Sequence, residues 1–368
     1  MRFSPLFLLA LAPLCTFAAT GLSPDPETAN TTAPLEPRAV TEPARYDTDD
    51  PAIWINRANP AASLIIGTDK DVDGALYVYD LAGKIQRDKV VRGLVRPNNV
   101  DLAYDVPLGG KRADIAVVAE RHAHRLRAFR LPDMAPVDGG GIPVFEGEIA
   151  RDCMGIALYT RASDGALFAI VSRSEEGAPR EGYLHQYRIV DDGTGTLRGL
   201  FVRRFAKWSG KKEIEAIAVD NELGHVYCSD ERHGIRKYHA DPLAEDADEE
   251  LACFGTTGFA KDHEGISFYK FADGTGYILV SNQQADTFRI FPREGTAGNP
   301  HDHPLLTSIR VAAHDSDGSD TTNAALPGFP GGLFVAMSTD RTFHYYAWDD
   351  LVKASGGKLR STSAPAKQ

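Results

Sequence analysis

Short apolar runs that end in polar residues recur six times along the chain. They occupy residues 63–70, 114–121, 167–174, 225–232, 277–284 and 333–340. Each run is followed by a segment of alternating, aromatic-rich sequence, at 75–81, 124–131, 182–189, 234–240, 286–293 and 343–349. Alternation with a period of two residues predicts β-strands. A further strand is expected before five copies, at 50–56, 99–105, 154–160, 215–221 and 264–270, and a weak one around 308–326.

The spacing of the copies indicates the architecture. Equivalent aromatic positions, separated by 50, 58, 51, 53 and 55 residues, are Tyr79, Phe129, Tyr187, Tyr238, Phe291 and Tyr346. Propeller blades are typically 40–50 residues long, and loops enlarge them. The sequence therefore predicts an all-β fold, a six-bladed β-propeller that forms one domain.

The two ends of the chain differ from the repeats. Residues 1–19 combine a basic residue, a short apolar run and a small-residue cleavage point, which is typical of an export signal. Residues 20–43 and 353–368 are rich in small and polar residues, so we expect a disordered linker and a disordered tail around a propeller domain at 44–352. The predicted location is secreted or periplasmic, with no membrane span. Whether Cys15 is lipidated stays open, because the residues before it fit a lipid-attachment box poorly.

Charge restricts the possible partners. Lys and Arg number 40 against 51 Asp and Glu, which gives a net charge of −11. This balance argues against nucleic acid as a partner, and a phosphorylated substrate would be repelled unless metal cations intervene. The pair His301 and His303 is expected to be solvated, and the cysteines after the signal are expected to be buried free thiols.

Carboxylates and amides gather at the predicted strand starts. Five such clusters lie at 47–51, 98–101, 213–215, 262–265 and 315–320. At one mouth of a propeller these like charges would repel each other, and divalent cations with oxygen ligands would relieve the repulsion. Ca²⁺ accepts six to eight oxygens in irregular geometry, whereas Zn²⁺ fits poorly without a familiar spacing of Cys and His.

Several motifs resemble the β-propeller phytase (3-phytase) family. They are DTDDPAIWIN at 47–56 and PNNVDLAYDVPLGGKRADIAVVAER at 97–121, continued in the same order at 214–238, 262–283 and 331–337. The resemblance implies an extracytoplasmic phosphoric monoester hydrolase that binds several Ca²⁺ ions. It implies hydrolysis of phosphomonoesters of myo-inositol hexakisphosphate (phytate), preferably as its calcium complex, by attack of a metal-bound water. We expect a monomer acting on this small molecule.

The resemblance also assigns residues. Catalytic and phosphate-binding positions would be Lys70, Arg121, Glu215, Glu231, Arg180 and Glu181. Calcium-ligand positions would be Asp49, Asp50, Asn99, Val100, Asp101, Glu215, Asp262, Glu264, Gln283 and Asp317. In the third blade, Arg173 with Glu175 is the alternative to Arg180 with Glu181, and the match of 180–187 favours the latter.

Three departures from the family pattern concern phosphate affinity. Met154 stands where a phosphate-contacting Tyr is usual, Asp71 replaces a second Lys, and residues 315–323 diverge. The sequence alone leaves two other functions open. One is a calcium-dependent lactonase or sugar-acid hydrolase, and the other is a non-catalytic binding propeller.

Overall fold

A computed structural model describes Met1 and residues 33–362 of the chain. Six β-sheets follow one another in sequence order, and each is antiparallel. Six hydrophobic clusters fill the spaces between neighbouring sheets, one for each pair. The predicted six-bladed β-propeller is confirmed. The predicted export signal at 1–19 lies outside the described residues apart from Met1.

Five blades are continuous in sequence. Blade 1 contains β2 (Thr48–Trp54), β3 (Leu64–Asp69), β4 (Gly74–Tyr79) and β5 (Val91–Leu94). Blade 2 contains β6 (Pro97–Leu108), β7 (Lys111–Glu120), β8 (Arg125–Leu131), β9 (Ala135–Pro136) and β10 (Ile142–Pro143). Blade 3 contains β11 (Cys153–Thr160), β12 (Leu167–Arg173), β13 (Glu181–Asp191) and β14 (Leu197–Lys207). Blade 4 contains β15 (Ile214–Asp220), β16 (His225–Asp230), β17 (Gly234–His239) and β18 (Ala252–Phe254). Blade 5 contains β19 (His263–Lys270), β20 (Gly276–Asn282), β21 (Thr287–Pro292) and β22 (Thr307–Arg310).

Blade 6 joins the two ends of the chain. Its strands β23 (Ser319–Thr322), β24 (Leu333–Ser338) and β25 (Thr342–Ala347) are completed on the outside by β1 (Ala39–Val40). Backbone hydrogen bonds run from Arg38 N to Tyr345 O (2.7 Å) and from Thr41 N to Phe343 O (3.0 Å). The described part of the segment interpreted as a linker therefore contains a short strand that closes the ring of blades.

The segment interpreted as a tail also packs against the propeller where it is described. The helix α1 (Trp348–Ala354) buries Trp348 and Leu351. Beyond it, Leu359 is buried and the backbone N–H of Arg360 donates to the Tyr277 hydroxyl (3.0 Å). Within the described residues, no helix combines the length and the hydrophobicity needed to cross a bilayer.

Removing the closing strand should destabilise the protein. A chain that begins at Ala44 loses the backbone hydrogen bonds of Arg38 and Thr41 to β25. Each such bond is worth about 1 kcal/mol net, and the exposed edge of β25 adds to the loss. We expect Tm in thermal unfolding to fall by several degrees relative to a chain that begins at residue 33. Equal Tm values for the two chains would contradict this role of β1.

The innermost strands of five blades share an irregularity at the same position. The pairing register shifts after the first residue of β2, β6, β11, β15 and β19, in the intervals 48–51, 97–100, 153–156, 214–217 and 263–266. A β-bulge turns a side chain out of the regular alternation and is common beside functional sites. The second residue of each of these strands is Asp49, Asn98, Met154, Glu215 and Glu264.

Candidate active site

The bulged residues form a ring around one mouth of the central channel. In blade 6 the equivalent residue is Asp317, because its carbonyl accepts the N–H of Gly265 (2.6 Å), the residue that follows Glu264. Close packing explains the adjoining glycines. A Cβ on Gly265 would lie 2.7 Å from Asp317 O, and one on Gly318 would lie 2.3 Å from Asp50 Oδ1. The ring thus carries four carboxylates, one amide and one thioether.

The ends of the second strands contribute a second set of residues to this mouth. In the pairs Asp69-Lys70, Glu120-Arg121 and Asp230-Glu231, the first residue binds the backbone of a neighbouring loop. Asp69 Oδ1 accepts the N–H of Asp47 (2.8 Å), Glu120 accepts from Val95 (2.8 Å) and Asp230 accepts from Ser209 (2.7 Å). Because successive strand residues point to opposite sides, the side chain of the second member of each pair points to the side opposite that of the first. This arrangement brings Lys70, Arg121 and Glu231 to the site.

Lys70 lies at the centre of one part of the ring. Its ammonium contacts the carboxylate of Asp49 and lies 3.3 Å from Asp317 Oδ2. Asp317 also accepts a hydrogen bond from the amide of Gln283. On the other side, Asn98 Nδ2 donates to Asp49 Oδ2 (3.1 Å) and to Glu215 Oε1 (2.6 Å). These contacts connect the first, second, fourth, fifth and sixth blades.

Two overlapping carboxylate trios form the other part of the ring. In each trio, one oxygen of every residue lies within 4.8 Å of the others: Glu213, Glu215 and Glu231, and Glu231, Asp262 and Glu264. The ammonium of Lys212 touches Glu231 and lies 3.4 Å from Asp262 and 3.8 Å from Glu264. Arg232 Nε is 2.7 Å from Asp262 Oδ1. The two trios thus contain five closely spaced acids, and one lysine and one arginine contact three of them.

Burial makes the ionised forms of these acids costly. It raises the pKa of Asp49 to about 7, although Lys70 opposes the shift. Burial, reinforced by Asp49, raises the pKa of Glu215 to about 7, and burial raises that of Glu231 to about 8 against the effect of Lys212. Burial also raises the pKa of Glu264 well above its usual value, with Glu231 adding to the shift. Burial alone would raise the pKa of Asp262, but the hydrogen bond from Arg232 and the charge of Lys212 lower it.

The remaining basic residues differ in exposure. Arg121 Nε lies 4.0 Å from Asp152 Oδ2, and its charge acts on Glu215. Arg180 is exposed and places its guanidinium 4.7 Å from the centre of the Trp208 ring, whose indole N–H donates to the Lys212 carbonyl. Arg180 thus stands beside the loop that carries Lys212. Its neighbour Glu181 is also exposed and pairs in β13 with Lys207, outside the network around Lys70.

Arg173 is placed differently from Arg180. It is fully buried, donates to the carbonyls of Tyr183 (3.1 Å) and Gly182 (3.4 Å), and lies 4.0 Å from the centre of the Phe145 ring. These contacts leave Arg173 inside blade 3, whereas Arg180 is accessible to a ligand.

A third set of predicted residues lies along the channel below the ring. Asp50 accepts the N–H of Val100 (3.0 Å), and Asp101 accepts that of Leu158 (2.7 Å). Each of these bonds joins two neighbouring blades. A cavity of about 170 Å³ is lined in part by Asp50, Asn99, Val100, Asp101 and Asp320. A cavity of this size holds waters or ions but not a drug-sized ligand, which needs at least about 300 Å³.

Comparison with known proteins decides the family. The phytase family matches residues 5–347 of the chain. This chain belongs to the phytase family. It is also similar to the 3-phytase of Bacillus subtilis (strain 168), with 28% identity over 325 residues that cover 84% of this chain and 81% of the relative. Family membership makes this phytase a phosphoric monoester hydrolase, and the predicted family resemblance is confirmed.

The donor set of this phytase suits a hard divalent cation. The ring and the trios offer carboxylate and amide oxygens, and the amide oxygen of Asn98 is buried without a hydrogen-bond donor among the described residues. Six to eight oxygens in irregular geometry fit Ca²⁺ better than a tetrahedral metal. Sequence reasoning missed Asn98, Glu213 and Asp320 as individual site residues. Only the alignment of Asn98 with Glu215 in the repeat could have singled it out.

Proposed function

We propose that this phytase is a calcium-dependent enzyme that hydrolyses phosphomonoesters of phytate at the mouth formed by the ring. The main support for this proposal is that the two carboxylate trios share a buried mouth with Lys70 and Arg121. Within each trio, the ligand atoms lie within 4.8 Å of one another. Acids alone would repel a polyphosphate, and the two lysines of the mouth, Lys70 and Lys212, are already engaged with acids. Added divalent cations would change the net charge of the mouth from negative to positive.

The proposed ligands of calcium come from both parts of the mouth. Asp49, Asp317 and Gln283 would hold ions near Lys70, and Glu213, Glu215, Glu231, Asp262 and Glu264 would hold ions near Lys212. Asp50, Asn99, Val100 and Asp101 would supply side-chain or carbonyl oxygens in the channel. When bound, calcium would neutralise phosphate charge and lower the pKa of a coordinated water.

The cationic side chains are proposed to orient the substrate. Lys70 and Arg121 stand at equivalent strand ends of blades 1 and 2 and would hold the phosphate that reacts. Arg180 and Lys212 would contact a neighbouring phosphate of the same substrate, since both lie on one side of the mouth. In the metal-free protein, burial raises the pKa of Glu231 to about 8 and that of Glu215 to about 7. Bound cations would favour the ionised form of both carboxylates near neutral pH. Glu181, which is exposed, would assist at the outer edge of this second position.

The residue at position 154 is proposed to affect the strength of phosphate binding. Met154 is buried at the ring position of blade 3 and offers only a thioether there. The side of the mouth between blades 2 and 4 therefore depends on Arg121 and Arg180 for phosphate contacts. We also propose that the chain is exported, in line with the sequence of residues 1–19, and that it acts as a monomer.

The function is tested by phosphate release from phytate in the presence of Ca²⁺ and, separately, of excess chelator. We expect release with Ca²⁺ and almost none with chelator. A folded, calcium-saturated protein that releases no phosphate would contradict the proposal and would favour a lactonase or a binding propeller. Release at the same rate in chelator would contradict calcium dependence alone.

The two candidate arginines of blade 3 should respond differently to substitution. Arg173→Met removes a side chain that is 1% exposed and bonded to three carbonyls, so we expect a loss of about 3 kcal/mol or more in the free energy of unfolding. Arg180→Met changes an exposed side chain and should alter stability by less than about 0.5 kcal/mol, while KM for phytate rises severalfold. Denaturant unfolding and initial rates measure both effects. A stable Arg173→Met variant with raised KM would reverse the assignment.

A further inference from the structure

A hollow of about 520 Å³ lies beside the acidic mouth, between the turn that joins β16 to β17 and the loop that leads from blade 4 into blade 5. Two of its lining residues adjoin acids of the trios in sequence, because Arg232 follows Glu231 and Lys261 precedes Asp262. Its volume lies within the range of about 300–1,000 Å³ that is typical of small-molecule sites. The hollow is therefore next to the proposed site of hydrolysis and large enough for part of a substrate.

The lining of the hollow is positively charged, although the chain as a whole has a net charge of −11. Among the described residues, the lining includes Arg232, Lys261, Thr256 and Thr257, and it includes no acid. Each of these four side chains can donate hydrogen bonds. Cations combined with hydroxyl groups favour an oxyanion, such as a phosphate group, as the ligand.

Both cations of the hollow can bind a ligand in addition to their present contacts. Lys261 is exposed, and its ammonium has no ion-pair partner in the part of the chain that the structure describes. Lys70 and Lys212, in contrast, each contact acids of the mouth. The side chain of Arg232 is 49% exposed, and its Nε lies 2.7 Å from Asp262. Because this contact uses Nε, the two terminal amino groups of the guanidinium can donate to a ligand.

The loop at 255–262, which carries three of the four polar residues, is anchored by an aromatic residue and by its backbone. The rings of Phe259 and His263 are stacked, with centres 3.8 Å apart. The N–H of Ala260 donates to Asn282 Oδ1 (2.8 Å). Since the backbone is already held, a ligand bound to this loop would cost little conformational entropy.

The start of the loop is held from blade 5. Phe254 immediately precedes it, and the ring centres of Phe254 and His303 are 4.7 Å apart. His303 is buried, contrary to the expectation of a solvated pair, and its Nδ1 lies 2.7 Å from Pro292 O. Because a carbonyl can only accept, Nδ1 donates, and Nε2 accepts from the ammonium of Lys237 (3.2 Å). His303 is thus a packed support for the loop.

We propose that this hollow binds a phosphate group of phytate other than the one being hydrolysed, an inference that rests on the proposed function of the mouth. Phytate carries six phosphates, more than the two positions proposed at the mouth. Lys261 and Arg232 would bind such a phosphate, and Thr256 and Thr257 would donate hydrogen bonds to it. A contact with a non-reacting phosphate is equally strong in the ground state and the transition state, so it should lower KM without changing kcat.

Steady-state kinetics with phytate and saturating Ca²⁺ test the proposal. We expect Lys261→Gln to raise KM about threefold to tenfold and to leave kcat within about twofold. Lys261→Arg keeps the charge and should keep the wild-type KM. The matched control is Lys111→Gln, which removes the same charge from an exposed residue at the start of β7, whereas the mouth lies at the end of that strand. This control should leave KM unchanged.

The outcomes distinguish a failure of the hollow from a failure of the mouth. An active wild type whose KM is not altered by Lys261→Gln would overturn the hollow and leave the proposed function intact. An equal rise in KM for Lys111→Gln would also overturn it, because loss of any surface cation would then suffice. A folded wild type that releases no phosphate from phytate in Ca²⁺ would contradict the proposed function and the hollow with it.

A second measurement needs no variant and so does not depend on how the substitutions fold. It is a crystal structure of the calcium-saturated protein with a non-hydrolysable hexasulfate analogue of phytate. We expect one sulfate group to lie within about 3 Å of both Lys261 Nζ and a terminal nitrogen of Arg232. An analogue bound at the mouth with no sulfate in the hollow would overturn the site.

Discussion

The variant Glu215→Gln should lose about 10²–10³-fold in kcat/KM for phytate. Glu215 belongs to the first carboxylate trio, and its Oε1 accepts from Asn98, which links it to Asp49. Glutamine keeps an oxygen for Asn98 but removes the charge that would hold a cation. The fold should therefore survive while the electrostatics of the mouth change. Initial rates of phosphate release, with Ca²⁺ saturating for each protein, measure the effect.

The matched control for this prediction is Glu222→Gln. Glu222 lies two residues beyond the opposite end of the same strand, and its side chain is 59% exposed and lies 2.7 Å from Arg293. We expect nearly wild-type kinetics from this variant. Full activity of Glu215→Gln, in a protein whose thermal unfolding matches the wild type, would contradict the placement of the site.

The stability of the calcium-free protein should fall as pH rises from about 5 to about 8. Burial raises the pKa of Asp101 to about 6, of Asp49 and Asp320 to about 7, and of Glu231 to about 8. In the unfolded chain these groups titrate near pH 4, so between these values the folded state binds more protons. Each such group lowers the free energy of unfolding by about 1.4 kcal/mol per pH unit until it ionises in the folded state.

Calcium should remove most of this pH dependence. Bound cations would balance the ionised carboxylates, and a ligand that binds only the folded state at a thousand times its Kd adds about 4 kcal/mol. We expect the rise in Tm on adding Ca²⁺ to be several times larger at pH 8 than at pH 5. The variant Glu231→Gln should show a shallower decline in chelator. Equal rises at both pH values, or a calcium-free protein more stable at pH 8, would contradict this electrostatic account.

The repeat in the sequence was sufficient to predict the blades, because strands buried between two neighbours have a strong alternating and apolar signal. The short outer strand β1 gave no such signal. Its two residues, Ala39 and Val40, are held mainly by backbone hydrogen bonds to β25, which any sequence can make. Because β1 has no such sequence signal, the strand that closes the propeller was not recognised within the segment interpreted as a linker.

The sequence predicted that the site lies at strand ends. It did not predict which residue of each inner strand belongs to the ring. One inserted residue per inner strand produces the bulge. The bulge places Asn98 rather than Asn99, and Glu215 rather than its neighbours, at the ring position. A bulge leaves no mark in the alternation of a short strand, so only an alignment of the repeats with one another could have indicated its position. The choice between Arg173 and Arg180 likewise depended on burial, which the similar composition of the two segments does not reveal.

The proposed function requires this acidic mouth to bind phytate through divalent cations. Its most direct test is calorimetric binding of a non-hydrolysable hexasulfate analogue of phytate, with Ca²⁺ and with excess chelator. We expect binding with Ca²⁺, little or none in chelator, and markedly weakened binding by Glu215→Gln even with Ca²⁺. Equal affinity for the analogue with and without Ca²⁺ would contradict it.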